Sequence, residues 1–139
     1  MQLLNSILFI IFLMLAIIHF YWALGGNWGI SSVLPTDKHG TKKLHPKKTD
    51  SAIVGCVLLI FSLFYAFNMG ISGYKFPSVL FNYFGWIIPG IFLVRAIGDF
   101  NYVGFFKKVK YTAFGKKDTY FFSPLCLLIA AIGFIIYFN

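Results

Sequence analysis

Four long apolar runs restrict what this chain can fold into more than any other feature of its sequence. They cover about residues 3–24, 51–69, 78–97 and 120–138. Each has the roughly 20 predominantly apolar residues that cross the hydrocarbon core of a bilayer as a helix. Strands with open edges would leave backbone groups unpaired in lipid, so each run is predicted to be helical. The expected fold is all-α: a polytopic membrane protein with a single four-helix transmembrane domain over residues 1–139.

The composition excludes the ordinary soluble classes. Hydrophobic residues make up 59% of the chain and charged residues 12%, against about 45–50% and about 25% in soluble domains. The two cysteines, Cys56 and Cys126, lie in different runs and form no C-x-x-C motif. They are expected to be small buried hydrophobes, which argues against a disulfide scaffold and against thiol redox chemistry.

The net charge of +8 is concentrated in two loops. Between the first two runs lie Lys38, Lys42, Lys43, Lys47 and Lys48, and at or between the last two lie Arg95, Lys107, Lys108, Lys110, Lys116 and Lys117. Positive charge marks the cytoplasmic side of a membrane protein. The pattern predicts a multi-pass protein of the cell (inner) membrane, with loops 25–50 and 98–119 cytoplasmic and both termini external. The expected partners of these lysines are anionic lipids rather than nucleic acid.

The connection between the third and fourth runs has two interpretations. On a helical wheel, apolar residues such as Phe105 and Phe106 fall opposite Lys107, Lys108 and Lys110. This arrangement favours a short amphipathic helix lying in the membrane interface, and an ordered loop with interfacial aromatics is the alternative. The fourth helix is predicted to begin near Asp118, because a start at the Ser123-Pro124 pair leaves too few residues to span a bilayer.

Polar residues inside spans are the candidates for function, because they are costly to place in lipid. His19, Trp22, Arg95, Asp99 and Asp118 are predicted to lie in one layer near the cytoplasmic side. The structural alternatives are a snorkelling or lipid-bound Arg95, one interhelical hydrogen bond from His19, and an N-cap role for Asp118. No metal and no cofactor is expected, because the sequence has no metal-ligand, nucleotide or hydrolase motif.

Two sequence elements resemble a known family. The first is R-A-I-G-D-F-N-Y-V-G-F-F-K from Arg95 to Lys107, continued by T-A-F-G-K-K-D-T from Thr112 and S-P-L from Ser123. The second is H-F-Y-W-A-L-G-G from His19, with Pro35 downstream. Over nearly the whole chain the sequence resembles small bacterial four-helix membrane proteins known as domain of unknown function 3995. The resemblance implies the architecture and no established activity, and it gives weight to the candidate residues above.

Three kinds of function fit these observations. The first is a binding or transport module, in a monomer or homodimer, in which Arg95 holds an anionic head group or metabolite, Asp99 orients Arg95, and His19 and Trp22 line a cavity. The second is an accessory or immunity-type subunit packed on a larger membrane partner. The third is a membrane-embedded enzyme acting on a lipid-soluble substrate, with His19 as general acid and base. The absence of a catalytic motif ranks the enzyme last.

Overall fold

The computed structural model describes residues 1–39, 41–42, 45–70 and 77–139, so the predicted cytoplasmic residue Lys43 lies outside the described part. The elements are α1 (Gln2–Ala23), α2 (Ile30–Val33), α3 (Lys48–Asn68), α4 (Ser78–Ile97), α5 (Ala113–Lys117), a π-helical turn (Asp118–Phe122) and α6 (Ser123–Phe138). Among the described residues, four helical stretches are long and apolar enough to cross a membrane: Gln2–Ala23, Lys48–Asn68, Ser78–Ile97 and Ala113–Phe138. The prediction of an all-α, four-span membrane protein is confirmed.

Contacts group the described residues into two compact units. The first contains residues 1–26, 46–89 and 132–139, and the second contains residues 27–45 and 90–131. Both units expose many large apolar side chains, including Leu3, Val79 and Val94. Apolar surface on this scale is typical of helices that face lipid.

In the first unit, α1 and α3 pack side by side in opposite directions. Ser62 Oγ donates a hydrogen bond of 3.0 Å to the carbonyl oxygen of Phe9. The ring of Phe12 stacks on that of Tyr65, with the centroids 5.7 Å apart. Near the other end of the pair, Gly55 lies against the ring of Phe20. A side chain at Gly55 would press on that ring, so the glycine permits the close approach of the two helices.

In the second unit, residues 98–112 form an ordered loop without a helix between α4 and α5. The amphipathic helix considered above is therefore not formed here, and the loop alternative describes the structure. The helix that follows begins at Ala113, earlier than predicted. The reason is Thr112, whose Oγ1 accepts a hydrogen bond from the Gly115 N–H at 2.9 Å and so supplies the N-cap.

The two lysine-rich loops meet in this second unit. Lys117 Nζ donates a hydrogen bond of 2.6 Å to Ser32 Oγ, and α2 contacts α5. Two spans, α3 and α4, separate these loops along the chain. Direct contact between the loops requires an even number of crossings between them, which agrees with the four-span count.

Candidate functional site

The polar centre of the second unit is the carboxylate of Asp118, in the first residue of the π-helical turn. Its side chain has no exposed surface. Oδ1 accepts a hydrogen bond from Arg95 Nη2 at 2.8 Å. Oδ2 accepts from Lys107 Nζ at 3.0 Å, from the Gly104 N–H at 2.7 Å and from Ser123 Oγ at 3.2 Å. We call Arg95, Lys107, Asp118 and Ser123 the Asp118 cluster.

The π-helical turn explains how Ser123 joins this cluster. The backbone N–H of Ser123 donates to the carbonyl oxygen of Asp118, five residues earlier. In an α-helix, residues five apart point about 140° away from each other, since each residue turns the helix by about 100°. The wider π turn brings Ser123 onto the face of Asp118. The turn ends at Phe122, two residues before Pro124, which has no backbone N–H to donate to a regular helical ladder.

Lys107 also belongs to the Asp118 cluster, although the helical wheel predicts it on the polar side of an interfacial helix. Its side chain is 0% exposed. Nζ donates to the Gly104 carbonyl oxygen at 2.9 Å, to Asp118 Oδ2 at 3.0 Å and to Thr119 Oγ1 at 2.6 Å. An ammonium group has three donors, and all three are used. The sequence feature that points to Lys107 is its place as the last residue of the family-like element from Arg95 to Lys107.

Arg95 differs from the other members because its hydrogen-bonding capacity is not exhausted. Its side chain is 33% exposed and Nη2 pairs with Asp118. Nη1 is buried and has no hydrogen-bond partner. The cluster contains two cations and one carboxylate, so one positive charge is uncompensated. Lys107 has no donor left for a further acceptor, so among the two cations Arg95 is the one with a donor available to a ligand.

Asp99 does not orient Arg95 in this structure. Helix α4 ends at Ile97, so the four-residue spacing no longer places the two side chains on one helical face. Instead, Asp99 Oδ1 accepts hydrogen bonds from the N–H groups of Asn101, Tyr102 and Val103, at 2.9, 2.7 and 2.9 Å. Partial burial acts to raise the pKa of Asp99, but these backbone hydrogen bonds outweigh it and lower the pKa below its usual value.

Two glycines let the loop close on itself. Gly98 and Gly104 have φ values of +91° and +89°, in the left-handed region. A Cβ atom on Gly98 would overlap the carbonyl oxygen of Val103, and one on Gly104 would overlap Gly98 Cα. The chain therefore crosses itself at backbone contact between Gly98 and Gly104, and we call residues 98–112 the crossing loop. This crossing places the Gly104 N–H against Asp118 and so couples the loop to the cluster.

The remaining candidates, His19 and Trp22, are neighbours in the first unit. The Nδ1 atom of His19 lies 2.8 Å from the Leu15 carbonyl oxygen, and since a carbonyl only accepts, Nδ1 carries the proton. The two aromatic rings meet edge to face with centroids 4.9 Å apart. Within the described part of the chain, His19 has no carboxylate partner, and no three His, Cys, Asp or Glu side chains gather into a set that could hold a metal ion.

The comparisons with known proteins identify a family. No curated protein and no solved structure is significantly similar to this chain. One family model, described as "Protein of unknown function (DUF3995)", matches residues 12–133. The match includes the whole Asp118 cluster, the crossing loop and the His19–Trp22 pair. Because it covers most of the sequence, this multi-pass membrane protein belongs to the DUF3995 family.

Proposed function

We propose that the protein binds the oxyanion of a small amphipathic or anionic molecule at Arg95, as a binding or transport module of the cell membrane. The observation that carries this proposal is the buried Nη1 atom, which has no hydrogen-bond partner in a cluster with one surplus positive charge. Leaving a buried charged donor unpaired is costly, so a ligand that accepts from Nη1 gains from satisfying it. A phosphate or carboxylate is the matching chemistry, because the guanidinium fork presents parallel donors to such groups.

The other members of the cluster hold Arg95 in place. Asp118 Oδ1 fixes the Nη2 side of the guanidinium at 2.8 Å. Asp118 is itself fixed by the saturated Lys107 ammonium and by the Gly104 N–H. The guanidinium therefore has little freedom to lose when an anion binds, which favours affinity. In this proposal, Asp118 and Lys107 are positioning residues and Arg95 contacts the ligand.

The position of Arg95 supports an amphipathic ligand. Arg95 lies two residues before the end of α4, at the boundary of a candidate membrane span. In the predicted topology, this boundary is the cytoplasmic one. The neighbouring loops carry most of the lysines, and their field attracts anions to the same surface. The exposed third of the Arg95 side chain is the side from which a lipid head group or a soluble anion would approach.

The enzyme hypothesis receives less support. It requires a carboxylate that orients His19, whereas His19 donates to the Leu15 carbonyl oxygen. No feature of the described residues favours the accessory-subunit hypothesis over anion binding.

The test compares two Arg95 variants with a matched lysine control. The purified protein is placed in phosphatidylcholine nanodiscs containing phosphatidylglycerol, and bound lipid is counted by native mass spectrometry. Inorganic phosphate is titrated separately to distinguish a lipid from a soluble anion. Arg95→Gln should weaken anion binding by about tenfold or more, because a hydrogen bond to a charged group contributes about 1.5–3 kcal/mol. Arg95→Lys keeps the charge and loses the guanidinium fork, so its affinity for the anion should lie between those of the parent protein and Arg95→Gln.

Lys108→Gln is the control in the phosphate titration, because it removes a charge from an exposed neighbour of the cluster. It should leave binding at Arg95 nearly unchanged. Melting curves for each variant separate loss of binding from loss of folding. Equal binding of both probes by the parent protein and a folded Arg95→Gln variant would overturn the proposal.

A further inference from the structure

The loop between α4 and α5 has an inverted burial pattern. Phe106 is 64% exposed, while the next residue, Lys107, is fully buried. In water the hydrophobic effect favours the opposite arrangement, because burying an aromatic ring is favourable and burying an ammonium group is costly. A loop that turns its phenylalanine outward and its lysine inward is suited to surroundings that are themselves partly apolar.

A second exposed aromatic residue lies beside Phe106. Phe100 is 57% exposed, and its ring centroid is 6.5 Å from that of Phe106. Its φ of +63° lies in a region that residues with a side chain rarely adopt. The loop holds this strained backbone in place through the hydrogen bond from the Lys108 N–H to the Phe100 carbonyl oxygen, at 3.2 Å. The Phe100–Phe106 pair is thus a preformed exposed feature.

The charge and position of the loop indicate what covers this pair. Residues 100–117 contain five lysines and no Asp or Glu. Phe100 follows the end of α4 by three residues, and the next candidate span begins at Ala113. The pair therefore lies in the connection between the ends of two candidate membrane spans, the part of such a chain that would meet lipid head groups. Aromatic residues and lysines together are typical of surfaces that enter the interface of an anionic bilayer.

We infer that the Phe100–Phe106 pair inserts into the interfacial layer of an anionic bilayer, with the exposed Lys108 and Lys110 directed to lipid phosphates. The buried contacts of Lys107 hold the loop in this conformation, and the rings of Phe100 and Phe106 project outward from it. This inference concerns the outer surface of the loop and does not depend on a ligand at Arg95.

The test measures the depth of single labelled positions. In a Cys56→Ser background, in which the remaining Cys126 is buried, the variants Phe106→Cys and Phe100→Cys are labelled with bimane. Each is reconstituted into phosphatidylcholine–phosphatidylglycerol liposomes. Quenching by brominated lipid is compared with quenching by iodide in the aqueous phase. Asn101→Cys, an exposed position in the same loop, is the matched control.

The inference predicts several-fold stronger quenching by brominated lipid at positions 106 and 100 than at position 101, and the reverse order for iodide. Liposomes of phosphatidylcholine alone should reduce this difference, since the lysines then lose their anionic partners. Adding Arg95→Gln should leave the pattern unchanged, which separates this test from that of the anion site. Stronger quenching by iodide at both aromatic positions would overturn the inference. Protection from both quenchers would also overturn it, by indicating a second copy or another protein on this surface.

Discussion

Lys107 and Asp118 form an ion pair in which neither side chain reaches the surface: Nζ and Oδ2 are 3.0 Å apart and both side chains are 0% exposed. Removing two charges from water is expensive, and such a pair is maintained only when its remaining hydrogen-bonding capacity is satisfied. Here Lys107 has two further acceptors, and Asp118 has further donors from Arg95, Gly104 and Ser123. The pair fastens the crossing loop to the start of the last helix.

Replacing Lys107 should therefore destabilise the protein strongly. Lys107→Met keeps the length of the side chain but leaves buried Asp118 with one cation fewer. Loss of one partner of a buried pair costs about 3–5 kcal/mol, and the remaining Arg95 contact favours the lower end. Denaturant unfolding in detergent micelles measures the loss. Lys108→Met, at the adjacent exposed position, should change stability by less than about 0.5 kcal/mol. Equal stability of the two variants would contradict a structural role for the pair.

The crossing loop should tolerate no side chain at its contact point. Gly98→Ala should cost several kcal/mol: about 1–2 kcal/mol for the left-handed backbone, plus the displacement of the Val103 carbonyl group. Gly29 also has a positive φ, of +75°, but a Cβ atom there meets nothing within 4 Å. Gly29→Ala should thus show only the backbone cost. Thermal melting measures the loss of stability in each variant. Equal losses would mean that the close contact between Gly98 and Val103 adds nothing to the cost of Gly98→Ala.

The positions of the membrane spans were predictable because each depends on composition over about 20 consecutive residues. The candidate site was less predictable because it depends on single tertiary contacts. A helical wheel assumes a helix and so predicts Lys107 on the polar side of an interfacial helix, whereas this segment is a loop. The pairing of Arg95 with Asp118 spans 23 positions, and no periodicity signals it. The predicted partnership of Arg95 with Asp99 assumed that α4 continues, whereas it ends one residue before Gly98, whose φ is +91°.

Acidification should weaken the loop through Asp99. Its pKa is lowered in the folded state by hydrogen bonds from backbone N–H groups. A carboxyl group with a depressed folded pKa contributes stability above its unfolded pKa of about 3.9, and that contribution is lost as pH falls through the folded pKa. Unfolding free energy should accordingly drop below about pH 4. In Asp99→Asn, part of this acid dependence should disappear while stability at neutral pH decreases. Parallel pH profiles for the two proteins would contradict this role.

The hydrogen bond between Lys117 and Ser32 leads to a prediction about topology. Because it joins the two lysine-rich loops, both must be exposed on the same side of the membrane, and their positive charge predicts that this side is the cytoplasm. In the Cys56→Ser background, Lys42→Cys and Lys116→Cys should react with a membrane-impermeant maleimide only after cells are permeabilised. Asn139→Cys, at the predicted external terminus, should react on intact cells. Labelling of the two loops from opposite sides would contradict the loop contact itself. Labelling of both loops on intact cells would leave the contact in place and reverse the orientation, which would place Arg95 and the Phe100–Phe106 pair at the external face.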